Sequence, residues 1–454
     1  MPQDEINHHI NPDRSIAARV LGLAWPVIVE NSLMTMVNVA DVAMVGRLGK
    51  VAIASASLPG SPIFFSQALF SAISIGTTAL VARLIGAREN DQANKALRQS
   101  FFIAVILGLI VTAILVGFAR PIMSLMGATG EVLTTSSMYL RVSCSTFFFM
   151  TLSFILNGAL RGAGDTKTPM ITNIIANFVN LFLNYVLIHG IAFFPEMGVA
   201  GAALATAISR AVGGLLVLGV TLSNKAKLHL DLKFPWTMDA DLMRRMLKVG
   251  LPAAGEQFVM RGSSMIMTRM ITGLGTLAYA SHSLVANFES VSFMIGLGFS
   301  MSASSLVGQH LGAKDQEGAN ACGHMAAKVA AIAMGTFGAI FLLVPQLIIG
   351  IYSTDPEVIA LGSSILRMAG LSQIPLALNI VYSGGLRGAG DTQYVFWVSV
   401  LGNLVLRLGL IYFFAYILDF GVVGAWIGTT IDVTIRSIFI TLRFHSGKWR
   451  SIKV

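Results

Sequence analysis

Charge is scarce in this chain. Asp, Glu, Lys and Arg make up 12% of its 454 residues, against 55% hydrophobic side chains, and the mean hydropathy is +0.74. So few ionised groups cannot clothe a soluble surface, which excludes a soluble globular class. Cysteine is nearly absent. Cys144 and Cys322, one in each half, cannot build a disulfide framework or a thiolate metal cluster. No Walker-type glycine loop, zinc-ligand spacing or nucleophile–base arrangement occurs, so the chain is not expected to be an enzyme and no organic cofactor is expected. The first fifteen residues, MPQDEINHHINPDRS, lack the apolar core of a cleavable signal, so the first helix is expected to stay as an anchor. The net charge of +9 comes without basic clusters interleaved with aromatic platforms, and no nucleic-acid partner is expected.

Long apolar runs are what the sequence has instead. Stretches able to cross about 30 Å of hydrocarbon as helix recur at 18–45, 52–84, 98–120, 131–160, 168–190, 198–222, 243–271, 277–311, 323–350, 357–385, 393–417 and 422–445. The expected fold class is an all-α integral membrane protein with twelve transmembrane helices. Continuous helices exclude an outer-membrane barrel. With twelve spans, both termini share a side with the even-to-odd loops. Those segments carry Arg88, Lys95, Arg98, Arg161, Lys167, Lys225, Lys227, Lys233, Arg244, Arg245, Lys248, Lys314, Arg387, Lys448 and Arg450. The opposite loops hold mainly Arg47, Lys50 and Arg120, so both termini are expected to be cytoplasmic and the protein to sit in the cell (inner) membrane.

The heptapeptide LRGAGDT occurs twice, at 160–166 and 386–392, an offset of 226 residues (386 − 160). The same offset carries Pro26 onto Pro252, Glu30 onto Glu256, Gly86 onto Gly312 and Asn177 onto Asn403, and pairs LGKVAIASASL with LGTLAYASHSL. The chain is therefore a duplication of a six-helix unit. Past the fifth helix the offset slips by three, Gly198 meeting Gly421. Units with an even number of spans repeat in parallel about an axis along the membrane normal, with a cavity between the lobes. The expected division is 1–222 for the N-terminal six-helix lobe, 223–242 for a cytoplasmic linker and 243–454 for the C-terminal lobe, two lobes that rock to open the cavity to alternate sides. Two glycines allow the LRGAGDT turn to be tight, and Asp165 and Asp391 suit capping of the next helix. The motif is read as a structural clamp rather than a binding site.

AWPVIVENSLMTMVNVADVAMVGRLG, both LRGAGDT turns and FESVSFMIGLGFSMSASSLVGQHLGA resemble the multidrug and toxic compound extrusion (MATE) family over nearly the whole chain. The resemblance implies a cation-coupled antiporter exporting amphipathic, often cationic, compounds. It also implies that Asp41 is the membrane-embedded acid of the first helix, with Asn180 and Asn184 the polar positions of the fifth. Some members carry an acid where Asn184 stands.

Ionisable groups inside spans are costly and mark function. Asp41 lies eleven residues beyond Glu30, about three helical turns, on nearly one face of the first helix. Its counterpart in the second half is Met267, whereas Glu30 is retained there as Glu256, so Asp41 is the unique acid. Asn173, Asn177, Asn180 and Asn184 draw a polar stripe along the fifth helix. Asp41 with Asn177, Asn180, Asn184 and Glu30 forms the expected coupling site, and Asp41, Asn180 and Asn184 offer Na⁺ hard oxygen ligands. Second-lobe candidates are Glu256, Asn287, Glu289 and His282. Asp432, four residues before Arg436, is read as an internal ion pair. Met34, Asn38, Met260 and Met267 are the candidate cavity residues, methionine being soft and adaptable. The expected partners are organic cations or amphipathic drugs and the lipid bilayer, the protein being a monomer. The expected function is H⁺- or Na⁺-driven efflux, and the alternative is a lipid-linked precursor flippase or a metabolite exporter of related two-lobe fold.

Overall fold

The computed structural model describes residues 12–46, 48–191, 194–223, 227–231 and 239–452, without the side chains of 12–14 and 42–43. The side chains of Arg47, Lys225 and Lys233, part of the charge asymmetry, fall outside the described residues. Lipid offers no partner to a free peptide group, so each apolar run closes its own hydrogen bonds as helix. The helices are α1 (Pro12–Gly46), α2 (Lys50–Gly86, broken at Leu58 and Pro59), α3 (Asn90–Gly117) and α4, a pair formed by Gly130–Cys144 and Phe147–Gly162 and bent by 49°. They continue as α5 (Lys167–His189), α6 (Gly198–Leu222), α7 (Ala240–Gly273), α8 (Thr276–Gly312), α9 (Gln316–Leu343), α10 (Pro356–Gly388), α11 (Thr392–Ile417) and α12 (Gly421–His445).

Ten of these helices are long and apolar enough to span a membrane, and the bent α4 makes an eleventh. The twelfth is α7. It has the length, 34 residues, but Arg244, Arg245, Lys248, Glu256, Arg261 and Arg269 lower its apolar character. The protein is an all-α, multi-pass membrane protein of twelve helices in two six-helix halves.

The compact units do not follow the division at the linker. One unit is Val29–Gly250, and the other comprises Met1–Ile28 with Leu251–Val454. Residues 1–28, assigned by sequence to the first lobe, group with the second half, and the start of α7 groups with the first. The cause is backbone contact. A side chain on Gly76 or Gly250 would collide with the Met246 or Ala72 carbonyl. In the other unit, Ser302 Oγ donates to the Val20 carbonyl at 3.0 Å. Ser302 and Gly76, like Met246 and Val20, differ by 226, so the exchange is as duplicated as the sequence. The described part of the linker is also tied to the first unit. His229 N donates to Asn94 Oδ1 at 3.1 Å, Lys95 pairs with Asp239, and Leu228 is fully buried.

Within each unit α4 or α10 lies against α2 or α8 at small-residue distance. Gly158 and Gly162 of α4 abut Ser74 and Thr78 of α2, while Gly384 and Gly388 of α10 abut Ser300 and Ser304 of α8, so closely that a Cβ at any of the four would strike the facing helix. Ser74 and Ser300 donate across these contacts to the carbonyls of Phe154 and Ile380, each at 2.9 Å. At the bend in α4 the helical ladder is interrupted. Buried polar groups must find substitutes. Arg210 Nη1 of α6 donates to the Ser143 carbonyl at 2.8 Å, and Thr146 Oγ1 donates to the Ala207 carbonyl at 2.9 Å.

α11 departs from its counterpart α5. It contains π-helical turns at Leu401–Arg407 and Phe413–Ile417, and it runs for 26 residues where α5 has 23. Surplus residues absorbed in wide turns leave the flanking helix in phase but shift the numbering. The sequence slip beyond the fifth helix is thus partly an insertion inside a helix, followed by a shorter loop.

Candidate functional site

Both LRGAGDT turns close as Schellman motifs. Asp165 N donates to the Leu160 carbonyl at 2.9 Å and Asp391 N to the Leu386 carbonyl at 2.8 Å. The second glycine takes the left-handed conformation this requires, with φ 80° at Gly164 and 86° at Gly390. Asp165 accepts from Thr168 N at 3.0 Å and Thr168 Oγ1 at 2.7 Å, tying down the start of α5. Asp391 does not repeat this cap. It accepts from Arg443 Nε at 2.7 Å, because α12 places a guanidinium within reach.

The arginine of each turn does what the motif alone did not disclose. Arg161 Nη2 lies 2.6 Å from Glu30 Oε1, and Asn173 Nδ2 donates to the same oxygen at 2.5 Å. In the second half Arg387 donates to both carboxylate oxygens of Glu256, at 2.7 and 3.2 Å, and Ser399 Oγ, the counterpart of Asn173, donates at 3.3 Å. Glu30 is therefore neutralised in its own cluster, and the structure does not bring it into contact with Asp41.

Asp41 has a different setting. Asn184 Nδ2 donates to Asp41 Oδ1 at 2.6 Å and also to Asn180 Oδ1 at 3.2 Å. Asn180 Nδ2 donates to Ser209 Oγ of α6 at 3.3 Å. Half a turn of the Asn180 amide brings its nitrogen to 3.2 Å from both oxygens of Asp41. The amide can thus face an ionised carboxylate with its donor, or a protonated or cation-bound one with its acceptor. Asn180 and Asn184 are buried, and Asn184 Oδ1 is buried without a hydrogen-bond partner. The donor set around Asp41 is rich in oxygen and suits a hard cation. Asn177, one turn from Asn180, is half-buried. The stripe on α5 thus divides, Asn173 serving Glu30 while Asn180 and Asn184 serve Asp41.

The second-half candidates are dispersed. Glu256 is held by Arg387, and Asn287 donates within its own helix to the Ser283 carbonyl at 2.8 Å. His282 packs 5.7 Å from the Trp426 ring, centroid to centroid. Glu289 faces Arg407 electrostatically. Asp432 is fully buried and pairs with Arg436 as the spacing indicates, Nη2 to Oδ2 being 2.7 Å. It also takes Arg407 Nε at 3.0 Å, a partner 25 residues away in sequence. Among the methionines, Met267 is buried in an apolar core with Ile271, Ile411 and Trp426. Met34 and Asn38 are exposed on α1, and Met260 is half-buried.

The MatE family profile matches residues 26–186 and again 252–413. Over 436 residues the chain is 32% identical to a protein of Thermotoga maritima named probable multidrug resistance protein NorM, covering 96% of this chain and 93% of that protein. It is 28% identical over 455 residues to multidrug resistance protein PmpM of Pseudomonas aeruginosa, covering 97% and 93%. Among solved structures, a MOP superfamily transporter from Pyrococcus furiosus superposes with a TM-score of 0.87 at 24% identity over 95% of each chain. The duplicated family match and the full-length relative place this chain in the multidrug and toxic compound extrusion (MATE) family of transporters.

Proposed function

We propose that the protein is a secondary antiporter of the cell (inner) membrane, with both termini cytoplasmic. It exports amphipathic or cationic organic compounds against the inward flow of H⁺ or Na⁺ at Asp41. One contrast carries this reading. Among the described residues, Glu30, Glu256 and Asp432 each hold a fixed arginine, whereas Asp41 is met by neutral amides. An acid without a tethered counter-charge is the one able to exchange a mobile cation. The multidrug resistance named in the relatives supports efflux as the direction.

Binding of the cation removes a negative charge from a low-dielectric interior and lets the Asn180 amide turn its oxygen inward. That change reaches α6 through Ser209 and biases the packing of α1 against α5. Coupling requires the two access states to differ in cation affinity, and a carboxylate whose amide partners reorient gives such a difference. The flippase alternative needs free cations to hold a pyrophosphate. Arg161, Arg387, Arg407 and Arg436 are already neutralised by acids, which favours cationic cargo.

The test is uptake of a fluorescent organic cation into proteoliposomes or inside-out vesicles, driven separately by proton and Na⁺ gradients, for wild type and Asp41→Asn. Uptake driven by one ion and lost in Asp41→Asn supports the reading. Undiminished uptake by the variant overturns the assignment of Asp41.

A further inference from the structure

The buried charges of the second unit stand where the first unit has its amide site. In the first unit α5 meets α6 through Asn180 and Ser209, at 3.3 Å. In the second, α11 meets α12 through Arg407 and Asp432, at 3.0 Å. Ser209 and Asp432 share the offset 223 (432 − 209) that also relates Gly198 to Gly421. Asn180 and Arg407 differ by 227 (407 − 180), one more than the repeat offset, as expected when the π turn Leu401–Arg407 takes up an extra residue. The position of Asp41 is taken by Met267, whose sulfur lies 4.0 Å from Thr429 Oγ1 of α12.

The cluster is built rather than incidental. Asp432 accepts from Arg436 through both Nε, at 3.0 Å, and Nη2, at 2.7 Å. The aliphatic stem of Arg436 crosses α11 at Gly402, where a Cβ would collide with it. Arg407 is shared between Asp432 and the field of Glu289 on α8. Two acids and two guanidinium groups sum to zero, so the cluster is complete without a mobile ion.

We propose that the Arg407 guanidinium is a tethered cation filling the second-unit counterpart of the exchangeable site, so that the transporter exchanges a single ion per cycle, at Asp41 alone. This rests on the reading of Asp41 given above. The first unit keeps its cation replaceable, and the second has covalently attached its own. Removing Arg407 leaves Glu289 and Asp432 against one arginine, a net charge of −1 that must recruit a proton or Na⁺ from solution.

Purified full-length protein would be assayed for ²²Na⁺ binding and, in parallel, for proton uptake on acidification with a pH dye. The proposal expects Asp41→Asn to lose about one ion per chain and Glu289→Gln to lose none. Arg407→Gln gains about one, and the gain persists in the Asp41→Asn background. The charge-balanced Glu289→Gln/Arg407→Gln protein keeps a neutral cluster and shows no gain, and Arg407→Lys behaves as wild type. Loss of an ion in Glu289→Gln alone would show that the second unit already exchanges, and would overturn the proposal. So would a folded Arg407→Gln protein that gains nothing. Should Arg407→Gln fail to fold, the Glu289→Gln comparison still decides the question. An unchanged ion count in Asp41→Asn would instead refute Asp41 as the exchange site, with the arms on Arg407 and Glu289 still judging the second unit.

Discussion

Arg387 lies 131 residues beyond Glu256 and donates to both of its carboxylate oxygens, and Arg161 lies the same 131 residues beyond Glu30 and reaches it at 2.6 Å. The repeated turn is thus one jaw of a repeated clamp whose other jaw is the acid four residues past the helix proline. Removing one member of a buried pair strands a charge and costs about 3–5 kcal/mol. Glu256→Gln is expected to lower the melting temperature in detergent, and adding Arg387→Gln to recover part of the loss. Strict additivity of the two substitutions in that thermal assay would sink the clamp.

At Asp41, replacing Asn184 with Asp places a second carboxyl where an amide now donates at 2.6 Å. Two adjacent carboxyls hold their first proton more tightly than one. Half-maximal proton-driven uptake is expected to move to higher pH in Asn184→Asp. The check is the pH profile of initial rates, and an unmoved profile would count against proton binding at this pair.

The close helix contact at Gly388 tolerates no side chain, because a Cβ would run into the Ser304 carbonyl. Gly388→Ala is expected to cost about 1–3 kcal/mol or to abolish folded expression. Gly22 on α1 has nothing within 4 Å of its would-be Cβ. Gly22→Ala is expected to be neutral or slightly stabilising, and thermal unfolding of the two variants separates the cases.

Asp315 caps α9 outside the membrane. Gly318 N donates to it at 2.8 Å and His310 Nδ1 lies 2.7 Å away. These bonds favour the ionised form and hold the carboxyl below its usual range, the backbone bond from Gly318 contributing most. A carboxyl with a depressed folded-state pKa stabilises fully above its ordinary value. That contribution disappears as the pH falls through the depressed one. Asp315→Ala is expected to cost about 1 kcal/mol near neutrality, and the gap from wild type to narrow in acid. A gap that widens on acidification would contradict the cap.

Arg210 bridges the break in α4 through the Ser143 carbonyl and lies with its Cζ 5.2 Å from the centre of the Phe147 ring. Arg210→Met keeps the apolar stem but orphans that carbonyl, at a cost of about 1–3 kcal/mol. Faster hydrogen exchange confined to the bend would support this role, and unchanged exchange there would refute it.

Much of this was legible because lipid forces long apolar helices and duplication writes everything twice. The spans, the repeat and the pairing of Asp432 with Arg436 are local or periodic signals. So was the nomination of Asp41 with Asn184, since an acid and amides in otherwise apolar helices stand out. The Glu30–Arg161 clamp was missed although both residues recur at the repeat offset. Their conservation within the duplication was visible, but nothing in sequence couples positions 131 residues apart. The grouping of residues 1–28 with the second half was missed because α1 is a single helix through Pro26 and carries no break in its pattern. Arg407 was hidden by an ungapped count that set Leu406 and Leu410 against Asn180 and Asn184, because it assumed 3.6 residues per turn throughout.

The wide turns of α11 therefore matter beyond this helix. Any numbering that equates the two halves, or this chain with a relative lacking those turns, drifts by a residue at each of them without a visible gap. Past Leu401 such a comparison sets a lipid-facing position against a buried one. A substitution transferred across it from another family member would land on the wrong side of the helix.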